Sequence, residues 1–146
     1  MNKILILYDG SEPSIRALDK GKEIVKSFGS SVTLLNVVHN PFPNFTLGHH
    51  PAPMGDMKLM YDEIYKKSEE LLATAKKEFQ EITKNVETLI LEGDPANKII
   101  EYINSEDLEL VIIGYHGWGA SMNQFMMGSI TTKVLHHVKK PVLVVK

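Results

Sequence analysis

Residues 114–134, GYHGWGASMNQFMMGSITTKV, set Gly114 and Gly117 three positions apart and reach Gly128-Ser129 after a partly apolar stretch. Glycines at such spacing let main-chain N–H groups approach an anion closely and admit backbone conformations closed to other residues. Gly128-Ser129 stands where a helical period begins, so it offers unpaired N–H groups and a hydroxyl at a helix start. The helix dipole favours an anion there by about 0.3–1 kcal/mol at an exposed site and by ~2 kcal/mol when partly buried. The chemistry indicated is phosphate binding without a lysine. Spacing alone leaves a purely structural loop equally open. The pattern matches neither standard phosphate fingerprint: it lacks the Gly-Lys-Ser/Thr of a Walker loop, and it does not follow the first strand as a dinucleotide fingerprint would.

Other side chains are weighed in the same way. Asp9 stands just past an apolar run and before Gly10-Ser11, where a carboxylate either accepts turn N–H groups or meets a ligand. His116, inside the glycine pattern, is a candidate phosphate contact whose contribution would grow as pH falls. His49-His50 has no carboxylate at ligand spacing, so no metal site is expected. His136-His137 falls in the last turn of a helix, where partial positive charge suits the dipole. A single aromatic residue, Trp118, decides nothing.

Those residues need a scaffold, and the chain has the length for one. Its 146 residues suffice for one domain with a real core, and the absence of cysteine excludes disulfides, thiolate catalysis and Cys-type metal sites. A formal net charge of -2 gives no general attraction to nucleic acid or anionic lipid, so neither partner is expected. The apolar run before Asp9 is too short for a signal-peptide core, and no stretch approaches the ~18 apolar residues of a spanning helix. A soluble cytoplasmic protein with no membrane partner is the expectation.

Strand and helix patterns alternate along the whole chain. Residues 4–8, 32–38 and 110–113 are nearly continuous apolar runs, as parallel strands covered on both faces should be. Val86 to Leu91 is more mixed and suits an edge, and Val142 to Val145 is a fifth strand. Ser11 with Pro13 starts a helix that places Ile15, Leu18, Val25 and Phe28 on one face and stops at Gly29. Asp94-Pro95 repeats the device before Ile99, Ile100 and Ile103. The longest helix is expected from about Asp56 to Thr83, with Met57, Tyr61, Ile64, Leu71, Ala75, Phe79 and Ile82 inward. The last begins at Gly128-Ser129 and should bury Ile130, Val134 and Val138. Short crossovers between such elements imply a largely parallel sheet between helix layers. Residues 39–55, with four prolines and two glycines, form the one long connection. The glycine loop leaves the carboxyl end of the fourth strand, where open α/β sheets collect ligands.

In combination, KILILYDGSEPSIRAL, VTLLNVV, GDPANKI, IIGYHGWGASMNQFMMGSITTKVL and KKPVLVVK resemble the universal stress proteins over nearly the whole chain. That resemblance implies an α/β, Rossmann-like domain with an open five-stranded parallel sheet in order 3-2-1-4-5 and helices on both faces. It also implies a homodimer and, in the ATP-binding branch, ATP held by a Gly-x2-Gly-x9-Gly-Ser/Thr loop, with or without Mg²⁺. Carried over position by position, adenine and ribose contacts fall on Leu7, Asp9 and Val37, with Ile113 and Gly114 beneath the ribose. Phosphate contacts fall on His116, Gly117, Gly128, Ser129, Ile130 and Thr131, mostly through backbone N–H groups, with the Ser129 and Thr131 hydroxyls assisting. One departure stands out: ten residues separate Gly117 from Gly128 where the family pattern has nine. One residue adds at most about 3.5 Å of reach, which a bulge near Trp118 could absorb.

No catalytic residue is assigned. Phosphoryl transfer needs neutralisation at the γ-phosphate, and this loop carries no Arg, Lys or acid. ATP binding with at most slow hydrolysis is therefore expected, in a stress-response dimer formed through the apolar strand Val142–Val145. A slow ATPase or phosphotransferase, and a nucleotide-free interaction module acting through its dimer surface, stay open as alternatives.

Overall fold

The computed structural model describes residues 1–39, 55–117 and 126–146. The expectations placed on most of the 39–55 connection, on His49-His50, on Trp118 and on the extra loop residue lie outside those residues. In chain order the elements are β1 (Lys3–Leu7), α1 (Glu12–Phe28), β2 (Ser31–Val38), α2 (Gly55–Gln80), β3 (Val86–Glu92), α3 (Pro95–Ser105), β4 (Leu110–Gly114), α4 (Ser129–His137) and β5 (Val142–Val145).

All four strand pairings are parallel and the sheet order is β3-β2-β1-β4-β5. β1 is central, with Ile4 beside both Val32 and Leu110, and Leu7 beside Leu35. The chain builds outward from β1 to β3, then returns to β1's other side for β4 and β5, so strand order reverses between β1 and β4. The continuous apolar runs follow from burial on both faces. Ile4, Ile6, Leu34 and Ile112 pack with Ala17, Leu18 and Val25 of α1 and Leu72, Ala75 and Phe79 of α2. Leu5, Leu7, Leu35, Val111 and Ile113 face the other way, onto Ile99 and Ile103 of α3 and Val134 of α4. Mixed β3 is an edge, as its composition suggests.

Helix ends follow local chemistry. Ser11, extended at ψ 158°, accepts from the Ser14 N–H at 3.4 Å, and Gly29, left-handed at φ 67°, returns its N–H to Val25 O at 2.8 Å. Asp94 caps α3 by accepting the Asn97 N–H at 3.0 Å.

The helix faces differ in detail from the periodicity. On α1 the buried stripe runs through Ala17, Leu18, Gly21 and Val25, while Ile15 (43 % exposed) and Phe28 (59 %) lie outside it. Gly21 sits so close to Ile6 that the backbone of α1 approaches β1 directly, which sets the stripe. On α2 the fully buried positions are Tyr61, Ser68, Leu72, Ala75 and Phe79, and Leu71 is half-buried. Past Gln80, where the regular helix ends, the Ile82 N–H tightens onto Phe79 O, three residues back, at 2.8 Å. On α4 only Thr131 and Val134 are buried; Ile130 is on the rim of a cleft, and Val138 is the C-cap, half-buried. No helix among the described residues is long and apolar enough to cross a membrane.

Candidate functional site

The reversal between β1 and β4 opens a cleft at the carboxyl ends of the strands, the position where open α/β sheets hold ligands. Its cavity volume is about 150 Å³. Nine of the eleven residues expected to contact a ligand line it: Leu7, Asp9, Val37, Ile113, Gly114, His116, Gly117, Ile130 and Thr131. Gly128 and Ser129 stand just behind them, at the start of α4.

β1 ends at Leu7, but the chain stays tied to β2 for one more residue, with Tyr8 N–H donating to Leu35 O at 2.8 Å. Gly10, at φ 80°, then turns the chain into α1. Asp9 is fixed by that turn: its Oδ1 accepts the Ser11 N–H at 2.9 Å and the Ser11 hydroxyl at 2.5 Å. Ser14 Oγ donates to Ser11 O at 2.9 Å and accepts the Asp9 N–H at 3.4 Å. The carboxylate is thus a turn acceptor and a wall of the cleft at once.

Gly114, Gly117 and Gly128 are required for room, and in this the structure corrects the expectation of a special backbone conformation at Gly114 and Gly117. Gly114 and Gly117 are not among the glycines with positive φ, and Gly128 has φ -59°. A Cβ at Gly114 would lie 2.8 Å from the carbonyl carbon of Pro13; one at Gly117 would lie 2.6 Å from Asp9 Oδ2. A Cβ at Gly128 would lie 3.0 Å from the Cα of His116. Each glycine lets two chain segments touch that a methyl group would separate.

Hydrogen bonds close the neck of this loop and correct two assigned roles. The Gly128 N–H donates to Tyr115 O at 2.8 Å, so it is not available to a phosphate. Thr131 Oγ1, buried, donates to Gly114 O at 2.9 Å, so its proton serves the scaffold. Tyr115 N–H in turn donates to Val145 O at 2.8 Å, binding the loop's start to β5. What the first turn of α4 leaves without intrahelical partners are the N–H groups of Ser129, Ile130 and Thr131, with the exposed Ser129 hydroxyl beside them. His116, edge-on to Tyr115, has a buried Nδ1 with no hydrogen-bond partner among the described residues, in the wall of the cleft.

The cleft also has walls that sequence reasoning missed: Tyr8, Ser14, Leu35, Asn36, Pro95 and Ile99. Asn36 Nδ2 donates to Tyr8 O at 2.9 Å, and its Oδ1 accepts from Ser68 Oγ of α2 at 2.6 Å. The available signal was the lone amide within the apolar run VTLLNVV. Pro95 and Ile99 come with the capped start of α3, visible beforehand only as a helix signal. Burial first, then the Glu78 charge, raises the Tyr8 phenol above its ordinary pKa. Among the described residues no group of three or more His, Asp or Glu could hold a metal ion.

An open parallel α/β domain with a mainly apolar cleft at the strand reversal, carrying a few polar groups, is thereby defined. Residues 1–146 match the family model described as the Universal stress protein family, and the chain belongs to that family. It is 32 % identical to Universal stress protein MJ0531 of Methanocaldococcus jannaschii over 145 residues, covering 99 % of this chain and 81 % of that one. Its fold matches the universal stress protein UspA from Lactobacillus plantarum with a TM-score of 0.85 at 21 % identity, covering 99 % and 97 % of the two chains. It also matches protein MJ0577 with a TM-score of 0.77 at 26 % identity, covering 99 % and 95 %. Three further proteins of the same fold were solved with ligands: a universal stress protein with cAMP, one from Archaeoglobus fulgidus with dAMP, and one from Arabidopsis thaliana with AMP. Their TM-scores are 0.72, 0.69 and 0.70 at 20 %, 19 % and 20 % identity, and they cover 99 %, 100 % and 100 % of this chain and 97 %, 98 % and 92 % of their own.

Proposed function

We propose that this chain binds an adenine nucleotide in the cleft, with ATP as the resident ligand, and that occupancy is the signal it carries in a cytoplasmic stress-response homodimer. The observation that carries the reading is the convergence at one strand reversal of Asp9, Val37, the Gly114–Gly117 turn and the first turn of α4. The base lies against Leu7, Val37 and Ile113, and the ribose hydroxyls meet Asp9. The N–H groups of Gly117, Ser129, Ile130 and Thr131, the Ser129 hydroxyl and the His116 ring face the phosphates. Gly128 acts by closing the loop neck. The ligands of the three nucleotide-bound relatives support adenine nucleotides as the class.

Mg²⁺, where present, neutralises phosphate charge. Asp9 is the one carboxylate among the described residues of the cleft, so the ion would depend chiefly on nucleotide oxygens. Without a cation for the γ-phosphate, turnover slower than about one per second is expected. For the dimer, β5 is the support: it is a sheet edge, and all four of its residues are only half-buried in the single chain. A monomeric mass at micromolar concentration would remove that part of the reading.

The test is acid extraction of the purified protein with identification of released nucleotide by mass, alongside ATP, AMP and cAMP titrations. ATP at a hundred times its dissociation constant should add about 2.7 kcal/mol of stability. Gly128→Val, which forces the neck apart, should abolish binding; Asp9→Asn, a milder change, covers the case in which the valine variant does not fold. No nucleotide in the extract and no shift with any of the three would overturn the reading.

A further inference from the structure

The cleft does not end at Asp9. Asp9, Asn36 and Val37 also line a second groove, of about 410 Å³, that continues away from α3 and α4 toward α2. Its far wall is Ile64, Lys67, Ser68 and Leu71 of α2, and Val38 and His39 close its end. We propose that this groove is an anion subsite centred on Lys67, taking a phosphate carried on the 2′ or 3′ oxygen of the ribose. The inference rests on the adenine-nucleotide reading above and specifies its ligand: a ribose-phosphorylated adenine nucleotide.

Two observations point there. The first is position: Asp9, the residue set against the ribose hydroxyls, is the boundary between the two cavities, so a substituent on those hydroxyls leaves the cleft into the groove. The second is charge. Lys67, exposed on α2, makes no ion pair with a described carboxylate, and its side chain lines the groove. The polar floor is already satisfied, since Ser68 Oγ donates to Asn36 Oδ1 and Asn36 Nδ2 to Tyr8 O. Lysine is therefore the groove's attraction for an anion. Asp9 opposes it, but its Oδ1 accepts two hydrogen bonds from Ser11, which disperse part of that charge.

Calorimetric titration at low salt with AMP, adenosine 2′,5′-bisphosphate and adenosine 3′,5′-bisphosphate tests this on the intact chain, on Lys67→Gln and on Lys67→Arg. One bisphosphate should bind about five-fold tighter than AMP, the gain of one partly exposed ion pair, and the better of the two identifies the oxygen. Lys67→Gln should erase the gain and leave AMP affinity unchanged; Lys67→Arg should keep it. If AMP binds wild type and both bisphosphates bind equally or more weakly, the inference is overturned and the nucleotide reading stands. A gain that survives Lys67→Gln removes the assignment to Lys67. Binding of none of the three overturns the inference, and the nucleotide reading is then decided by the ATP titration and the acid extract.

Discussion

Gly117→Ala adds one methyl group where the loop crosses Asp9, and its cost follows from two distances. The new Cβ would stand 2.6 Å from Asp9 Oδ2, while ordinary contact starts at 3.4 Å, a shortfall of about 0.8 Å. Alanine is not disfavoured by the backbone here, because φ at Gly117 is not positive. The strain falls on the carboxylate. Asp9 cannot simply rotate away, because Oδ1 is held by the Ser11 N–H and hydroxyl at 2.9 and 2.5 Å, and Ser11 is also the cap of α1. Hydrogen bonds to a charged group contribute about 1.5–3 kcal/mol each, so stretching one of them predicts a loss of about 1.5 kcal/mol.

Urea unfolding of wild type, Gly117→Ala, Asp9→Ala and the double variant isolates that interaction. With the carboxylate gone, the alanine at 117 should cost less than about 0.5 kcal/mol, giving a coupling of about 1 kcal/mol or more between positions far apart in sequence. The same methyl group should weaken ATP by about tenfold, because it displaces the carboxylate that faces the ribose. An equal cost of Gly117→Ala in both backgrounds would refute the reasoning: the glycine would then serve the loop's own backbone.

Three further outcomes are expected. Thr131→Val keeps the shape but leaves Gly114 O without its donor, and should cost about 1–3 kcal/mol in denaturant unfolding. Gly21→Ala places a Cβ 2.3 Å from Cδ1 of fully buried Ile6; overpacking of about 1–3 kcal/mol should outweigh a helix-propensity gain of about 1 kcal/mol. Combined with Ile6→Val, which deletes that atom, the alanine should become neutral or stabilising by the same measurement. Burial first, and then the nearby Glu92, raise the Tyr61 phenol pKa in the fold. Its contribution is complete below the unfolded value of about 10 and is lost as pH rises above it, with a slope of up to ~1.4 kcal/mol per pH unit. Tyr61→Phe should therefore flatten the stability decline between neutral and strongly alkaline pH, with Tyr8 and Tyr102, whose pKa values are also raised, leaving a residual slope.

Much of the scaffold was legible because its determinants are local. Ser11 with Pro13, Gly29 and Asp94-Pro95 mark helix ends by their own chemistry, and the structure puts caps at those places. Apolar runs marked the buried strands because burial on both faces needs no alternation. What escaped was pairwise. Nothing adjacent to Gly117 announces that it must clear the Asp9 carboxylate, nor anything adjacent to Gly114 that it must clear Pro13, because those partners lie more than ninety positions away in sequence. Spacing drew attention to these glycines for their backbone freedom, whereas what the fold asks of them is room. Asn36 could be seen as a polar break in a strand, but not as the link between Tyr8 and Ser68.

The same limit applies to the donors, and it changes how the loop should be understood. A helix start advertises several N–H groups, but sequence does not say which the fold has already used. Here the Gly128 N–H goes to Tyr115 O, and the Thr131 hydroxyl goes to Gly114 O. Both bonds join α4 to the end of β4, so they fix the helix's first turn against the strand reversal. On the nucleotide reading, phosphate recognition then falls to the N–H groups of Gly117, Ser129, Ile130 and Thr131, the Ser129 hydroxyl and the His116 ring, held in place by the Gly128–Tyr115 bond at the neck. A variant that opens the neck should thus lose affinity while keeping every ligand-facing atom, whereas Ser129→Ala should lose one hydroxyl contact and leave the orientation intact. Gly128→Val losing far more ATP affinity than Ser129→Ala, by titration of folded protein, is the outcome this division of labour requires.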